Sequence, residues 1–120
     1  MTLIRSGDVP DLVLFKFYDL FISGGTGDYV DDFDWDDVRP FNVSEQIIEK
    51  AIGDLNRRGV IRLTKECKWG EGNWGRWRIN DAGVEWMEKL IDLNSEFFKV
   101  YFEKGEDAIS IDEFRALKRP

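Results

Sequence analysis

At 120 residues, 42% of them hydrophobic and 14% aromatic, the chain is long enough for one domain with a substantial core and short for two. It has no histidine and a single cysteine, Cys67, which removes the commonest general base, the commonest metal ligand and any internal disulfide. The net charge of −7 is uneven, with −6 on residues 1–43, balance over 44–59, +3 on 60–80 and −4 on 81–120, so one basic segment sits inside an acidic protein.

Val13, Leu14, Phe17, Leu20 and Phe21 recur at helical spacing and predict a first core helix over Pro10 to Ile22. Asp8 is its expected cap, and Pro10 lies in the first turn, where a missing N–H costs little. The glycines between Ser23 and Asp28 end that helix in a loop. In the acidic stretch that follows, Phe33, Trp35 and Val38 are the expected anchors of one short helix before Pro40. Ser44 then caps a stronger helix, with Val43 and Ile48 closing around it as a hydrophobic staple. Its stripe of Ile47, Ile48, Ala51, Ile52 and Leu55 defines one buried face. Gly59 stands where a helix end turns left-handed and Val60 can fold back onto Leu55, so the helix stops at about Arg58.

Beyond Val60 the pattern alternates, with Ile61 and Leu63 against Arg62 and Thr64, and again through Arg76-Trp77-Arg78-Ile79. This predicts a β-hairpin whose long tip runs from Cys67 to Gly75. Asn80 or Asp81 caps a long helix from Ala82 to about Lys104, whose second half is apolar on more than one face. In the tail, Ser110-Ile111-Asp112-Glu113-Phe114 resembles a capping box opening a short helix. The expected organisation is one domain over residues 1–104 and a C-terminal tail over 105–120. Its class is α+β, mostly helical, with a two-stranded hairpin and a long C-terminal helix. No stretch has the apolar length of a membrane span or of a signal-peptide core. With a lone cysteine, the chain is expected in a reducing cytoplasm without a membrane partner.

This order of elements is that of a winged helix-turn-helix. The stretch AIGDLNRRGVIR, Ala51 to Arg62, resembles the end of the recognition helix in MarR- and PadR-type transcriptional regulators, and RWRINDAGVEWM, Arg76 to Met87, is similar to their wing strand and following helix. The resemblance covers roughly residues 10–95. It implies a winged-helix fold, contact with DNA through wing and recognition helix, and pairing across a dimer through the last long helix. Winged helices also serve as protein-interaction modules, so the fold does not by itself decide the activity.

The hairpin is the strongest candidate for a nucleic-acid contact: Arg62, Lys65, Lys68, Arg76 and Arg78 supply charge for phosphates, while Trp69 and Trp74 supply rings that stack. Lys50 on the capped helix joins them, and Arg57 and Arg58 fit either a phosphate contact or a solvated helix end favoured by the macrodipole. Ordinary surface charge, with Trp77 packed in the core, accounts equally for the hairpin. Phe97, Phe98, Tyr101 and Phe102 pack either on the first helix or across a dimer, and Phe97, Phe98 and Tyr101 are the candidate dimer interface.

Against DNA reading, the exposed face of the capped helix offers Glu45, Gln46, Glu49, Lys50 and Asp54, where phosphate neutralisation favours neutral or basic residues. The rival reading is therefore an acidic protein-interaction module, of a kind suited to a phage or mobile element. Its surface, Asp31, Asp32, Asp34, Asp36 and Asp37, would bind a basic protein partner or mimic nucleic acid. Asp32, Asp34 and Asp36 match the first positions of a calcium loop, but Asp37 and Val43 stand where it needs glycine and glutamate, so no metal is expected. Gly24-Gly25-Thr26-Gly27 lacks the lysine of a phosphate-binding loop, and Cys67 lacks a base or resolving thiol. No enzyme activity and no cofactor are expected.

Overall fold

The computed structural model describes residues 4–23, 38–67 and 74–120, and for 42, 64–67 and 74–76 it describes the backbone alone. The elements in chain order are α1 (Val9–Ser23), a 3₁₀ turn (Pro40–Asn42), α2 (Glu45–Arg58), β1 (Ile61–Cys67), β2 (Trp74–Ile79), α3 (Asp81–Leu93), α4 (Ser95–Lys104), a second 3₁₀ turn (Glu106–Ala108) and α5 (Ile111–Arg115). The class is α+β and mostly helical, with β1 and β2 forming a two-stranded antiparallel sheet. The short helix expected around Phe33 and Trp35 falls outside the described residues, whereas Val38 is fully buried.

The core is built around α1, which packs on α2, α3 and β2. Its first half is buried nearly all round: Val9, Leu12, Val13, Leu14, Phe15 and Phe17 are inaccessible, whereas Leu20 and Phe21 are only half-buried. A helix hydrophobic on every side belongs inside a core, as the expected core helix does. Phe15 occupies the centre. Its ring meets Phe98, Phe114 and Tyr101 edge-on at centroid distances of 5.0, 5.5 and 6.1 Å, the arrangement favoured by aromatic quadrupoles.

In α2 the Ser44 hydroxyl accepts the Ile47 amide at 3.4 Å, and Ile48, Ala51, Ile52 and Leu55 form the buried face. Ile47, expected in the same stripe, is 39% exposed because those four positions already fill the face. At the other end Gly59 adopts φ 73°, the Gly59 amide donates to the Asn56 carbonyl and Val60 to that of Leu55, which is a Schellman ending.

The Asn80 carboxamide serves two elements: its oxygen accepts the Gly83 amide at 2.9 Å as the cap of α3, and its nitrogen donates to the Gly59 carbonyl at 2.6 Å. Asp81 is thus the first helical residue and not the cap. Gly83 is required by packing, since a Cβ there would lie 2.3 Å from the Val60 oxygen and 2.6 Å from Ile79 Cγ1.

The helix expected to run unbroken to Lys104 divides at Asn94, where φ −137° and ψ 46° leave the helical region. The Asn94 side chain explains the break. Its nitrogen donates to the carbonyls of Leu90 (2.9 Å) and Lys118 (2.7 Å), and its oxygen accepts the Lys118 amide at 2.9 Å. Asparagine competing for backbone groups is a known helix terminator, and here the competition ties residues 24 apart.

The C-terminal segment belongs to the same core. Ser110 caps α5 by accepting the Glu113 amide at 3.1 Å, as the capping box predicts, and Ile111 and Phe114 are buried. Asp8 does not cap α1 with its carboxylate, which instead accepts the Arg5 amide at 2.8 Å and the Arg115 guanidinium at 2.7 and 3.3 Å. Burial alone would raise the Asp8 carboxyl, but the Arg115 hydrogen bond, the Arg5 amide and both guanidinium charges together hold it below its ordinary value.

Candidate nucleic-acid interface

Backbone pairing sets the hairpin cations against one another. Arg62 lies opposite Arg78 and, across a bulge between Leu63 and Lys65, Lys65 lies opposite Arg76. Arg62 is exposed and Arg78 half-buried. Like charges on facing positions destabilise a ladder, by roughly the 0.2–1 kcal/mol that an opposite pair would contribute. Of the other hairpin candidates, Trp74 has a described backbone opposite Cys67, and Lys68 and Trp69 lie outside the described residues. Ile61 and Ile79 anchor the base of the hairpin in the core and Trp77 packs against that core, while Leu63, expected on the same buried face as Ile61, is 38% exposed. The hairpin therefore leaves the core after its first rungs.

The charges of α2 are sorted by the face that packing selects. With Ile48, Ala51, Ile52 and Leu55 inward, the opposite ridge carries Gln46, Lys50, Gly53 and Arg57 at spacings of four, three and four. Glu45, Glu49 and Asp54, which read as an acidic exposed face in the sequence, lie on the flanks of this ridge. Glu45 approaches Arg39 at 3.8 Å and Asp54 pairs with Arg57. Among the described residues neither Lys50 nor Arg62 forms an ion pair.

Arg58 has a structural position. Its guanidinium reaches Asp11 at 3.0 Å and lies over the Trp86 ring at 5.4 Å, joining the end of α2 to α1 and α3. Asp11 also approaches Arg119 at 3.6 Å, so this carboxylate holds the C-terminal segment as well. These groups line a shallow groove of about 640 Å³ whose arginines already face carboxylates.

The proposed dimer residues are used differently. Phe98 and Tyr101 are 1% and 5% exposed in the chain's own core, and Phe97 is half-buried edge-on to Phe98 at 5.1 Å, which is the intramolecular alternative for these rings. Burial, with the charges of Asp19 and Glu106, pushes the Tyr101 hydroxyl well above its usual range. On the outside of α3 and α4 only Leu93 and Val100 remain as strongly exposed apolar side chains.

Sequence reasoning overlooked Asp11, Asn94 and Gly53; the first two act on partners far along the chain, while the third shows only as a glycine inside a helix. The acidic stretch Asp31, Asp32, Asp34, Asp36 and Asp37 lies outside the described residues. No three acidic, cysteine or histidine side chains among the described residues are placed to hold a metal, and no described helix is long and apolar enough to cross a membrane. No protein-family model matches the chain, and neither a curated protein nor a solved structure matches it significantly.

Proposed function

We propose that the protein is a winged-helix, DNA-associated regulator of transcription in which the β1–β2 hairpin is the wing and α2 the recognition helix. The observation that carries this reading is the hairpin register, which opposes Arg62 to Arg78 and Lys65 to Arg76. The register gathers these cations on one antiparallel ladder, where a phosphate backbone would meet several of them at once. The element order from α1 to α3, the Schellman turn that leads α2 into the hairpin and the Lys50–Arg57 ridge support the same assignment.

The test is fluorescence anisotropy of a labelled random duplex at low and moderate salt. Binding is expected with a log–log salt slope of about −3 to −4 if four cations meet phosphates, since each contributes roughly −0.9. Arg62→Ala with Arg78→Ala should weaken binding and flatten the slope by about 2. No binding at low salt would overturn the reading.

One observation favours an acidic interaction module instead: Asp81, Glu85, Glu88 and Asp92 stand exposed at helical spacing along α3 in a chain of net charge −7. Under that reading, charge reversal of Asp34, Asp36 and Asp37 abolishes capture of a basic partner while hairpin variants retain it.

A further inference from the structure

Gly53 is a costly choice that the fold does not require. It sits inside α2, where glycine is a weaker helix former than alanine, on the outward ridge between Lys50 and Arg57, half-buried beneath the Arg57 side chain. Its backbone is helical: the described glycines with positive φ are Gly59 and Gly105. A Cβ at Gly53 would meet nothing closer than the Arg57 guanidinium at 3.5 Å, an ordinary contact with the end of a flexible side chain. Gly83 in α3 is the opposite case, because there a Cβ would strike the Val60 carbonyl. A residue that weakens its helix, with room for the methyl group it lacks, points outward to something that comes against the backbone.

We infer that Gly53 is the point of closest approach between α2 and a nucleic-acid duplex, an inference that rests on the function proposed above. The major groove, ~12 Å wide, barely admits a helix of ~10–12 Å diameter, so the side chain at the crest limits how deeply α2 seats. Charge complementarity selects the occupant: the crest carries Lys50 and Arg57, with the acids Glu49 and Asp54 set to its flanks, and the Gly59 turn leads directly to Arg62. Arg57 lies back over Gly53 and pairs with Asp54; releasing it toward a phosphate gives up only an exposed ion pair of little worth.

The test is Gly53→Ala in the full chain, read by thermal unfolding and by anisotropy with a labelled random duplex. The expected result is a split: the melting temperature rises by roughly 2–6 °C because the helix is strengthened, while duplex affinity falls about fivefold or more. Gly53→Leu should lose more affinity still. The salt slope should stay unchanged, since no cation has been removed. Wild-type affinity in Gly53→Ala overturns the inference and leaves the proposed function standing. A lowered melting temperature also overturns it, by showing that the fold itself needs the glycine. Absence of duplex binding by the wild-type chain overturns the proposed function, and this inference with it.

Discussion

The α1–α4–α5 end and the α2–hairpin end of this protein treat awkward groups in opposite ways. At the first, each is answered within the chain: Phe15 is surrounded by aromatic edges, Asp8 is held by Arg115, and Asn94 accepts a break in the helix in exchange for the Lys118 backbone. At the second, Arg62 faces Arg78, Gly53 weakens a helix that has space for alanine, and Ile47 and Leu63 stay exposed. Where local rules are broken, function is expected, because a surface shaped for a partner gives up stability for it. Substitutions should therefore lower stability at the first end and leave it level or raise it at the second.

The largest effect belongs to Phe15→Ala, which should cost about 3–5 kcal/mol, a large part of the stability of a domain this size. Urea denaturation measures it, with Phe15→Leu as the milder variant if the alanine chain does not fold. A loss below about 1 kcal/mol would mean the aromatic end is not the anchor of the fold. Next, Asn94→Ala leaves the exposed Lys118 amide and carbonyl to water and should cost about 0.5–1.5 kcal/mol. Hydrogen exchange should then accelerate in residues 109–118 and not at the base of the hairpin, a spatial pattern that general destabilisation would not produce.

Asp8 sharpens the comparison through pH. Its folded-state pKa lies below the ordinary 3.8, so its contribution is fully present above that value and is lost as pH falls through the folded pKa. Asp8→Asn should lower stability at neutral pH and remove part of the acid-side slope, so the two chains converge as pH falls from the ordinary 3.8 through the folded pKa. Parallel stability curves across that range would refute the Asp8–Arg115 coupling. Lys50→Ala, at the other end, should change the melting temperature by little, because an exposed, unpaired lysine contributes little to the fold.

What was legible in the sequence divides along the same line. Ser44, Gly59, Asn80 and Ser110 act on residues within a few positions, through caps and turns with fixed spacing, and the structure places them as expected apart from the Asn80–Asp81 choice. Asn94 was overlooked and Asp8 misread because their partners, Lys118 and Arg115, lie 24 and 107 residues away, beyond any local pattern. Phe97, Phe98 and Tyr101 looked like surplus apolar area because α5 was counted as a tail, whereas Phe114 helps to cover the aromatic cluster. At the candidate site the cations were visible as residue types, but their opposition needed the strand register. The separation of Gln46, Lys50 and Arg57 from Glu45, Glu49 and Asp54 needed to know which side of α2 is buried.

The smallest stability effect gives the sharpest test of the comparison. Arg62→Glu replaces a like-charged rung by an opposite-charged one, so the fold should gain a few tenths of a kcal/mol, and at most about 1 kcal/mol, in urea denaturation. In the same variant duplex binding should fall further than in Arg62→Ala, because a carboxylate repels the phosphate that a methyl group merely fails to attract. A chain that becomes more stable and binds less has exchanged a functional cost for a structural gain. If Arg62→Glu instead destabilised the fold, the Arg62 side chain itself would be contributing to it, and the hairpin would belong with the aromatic end as structure alone.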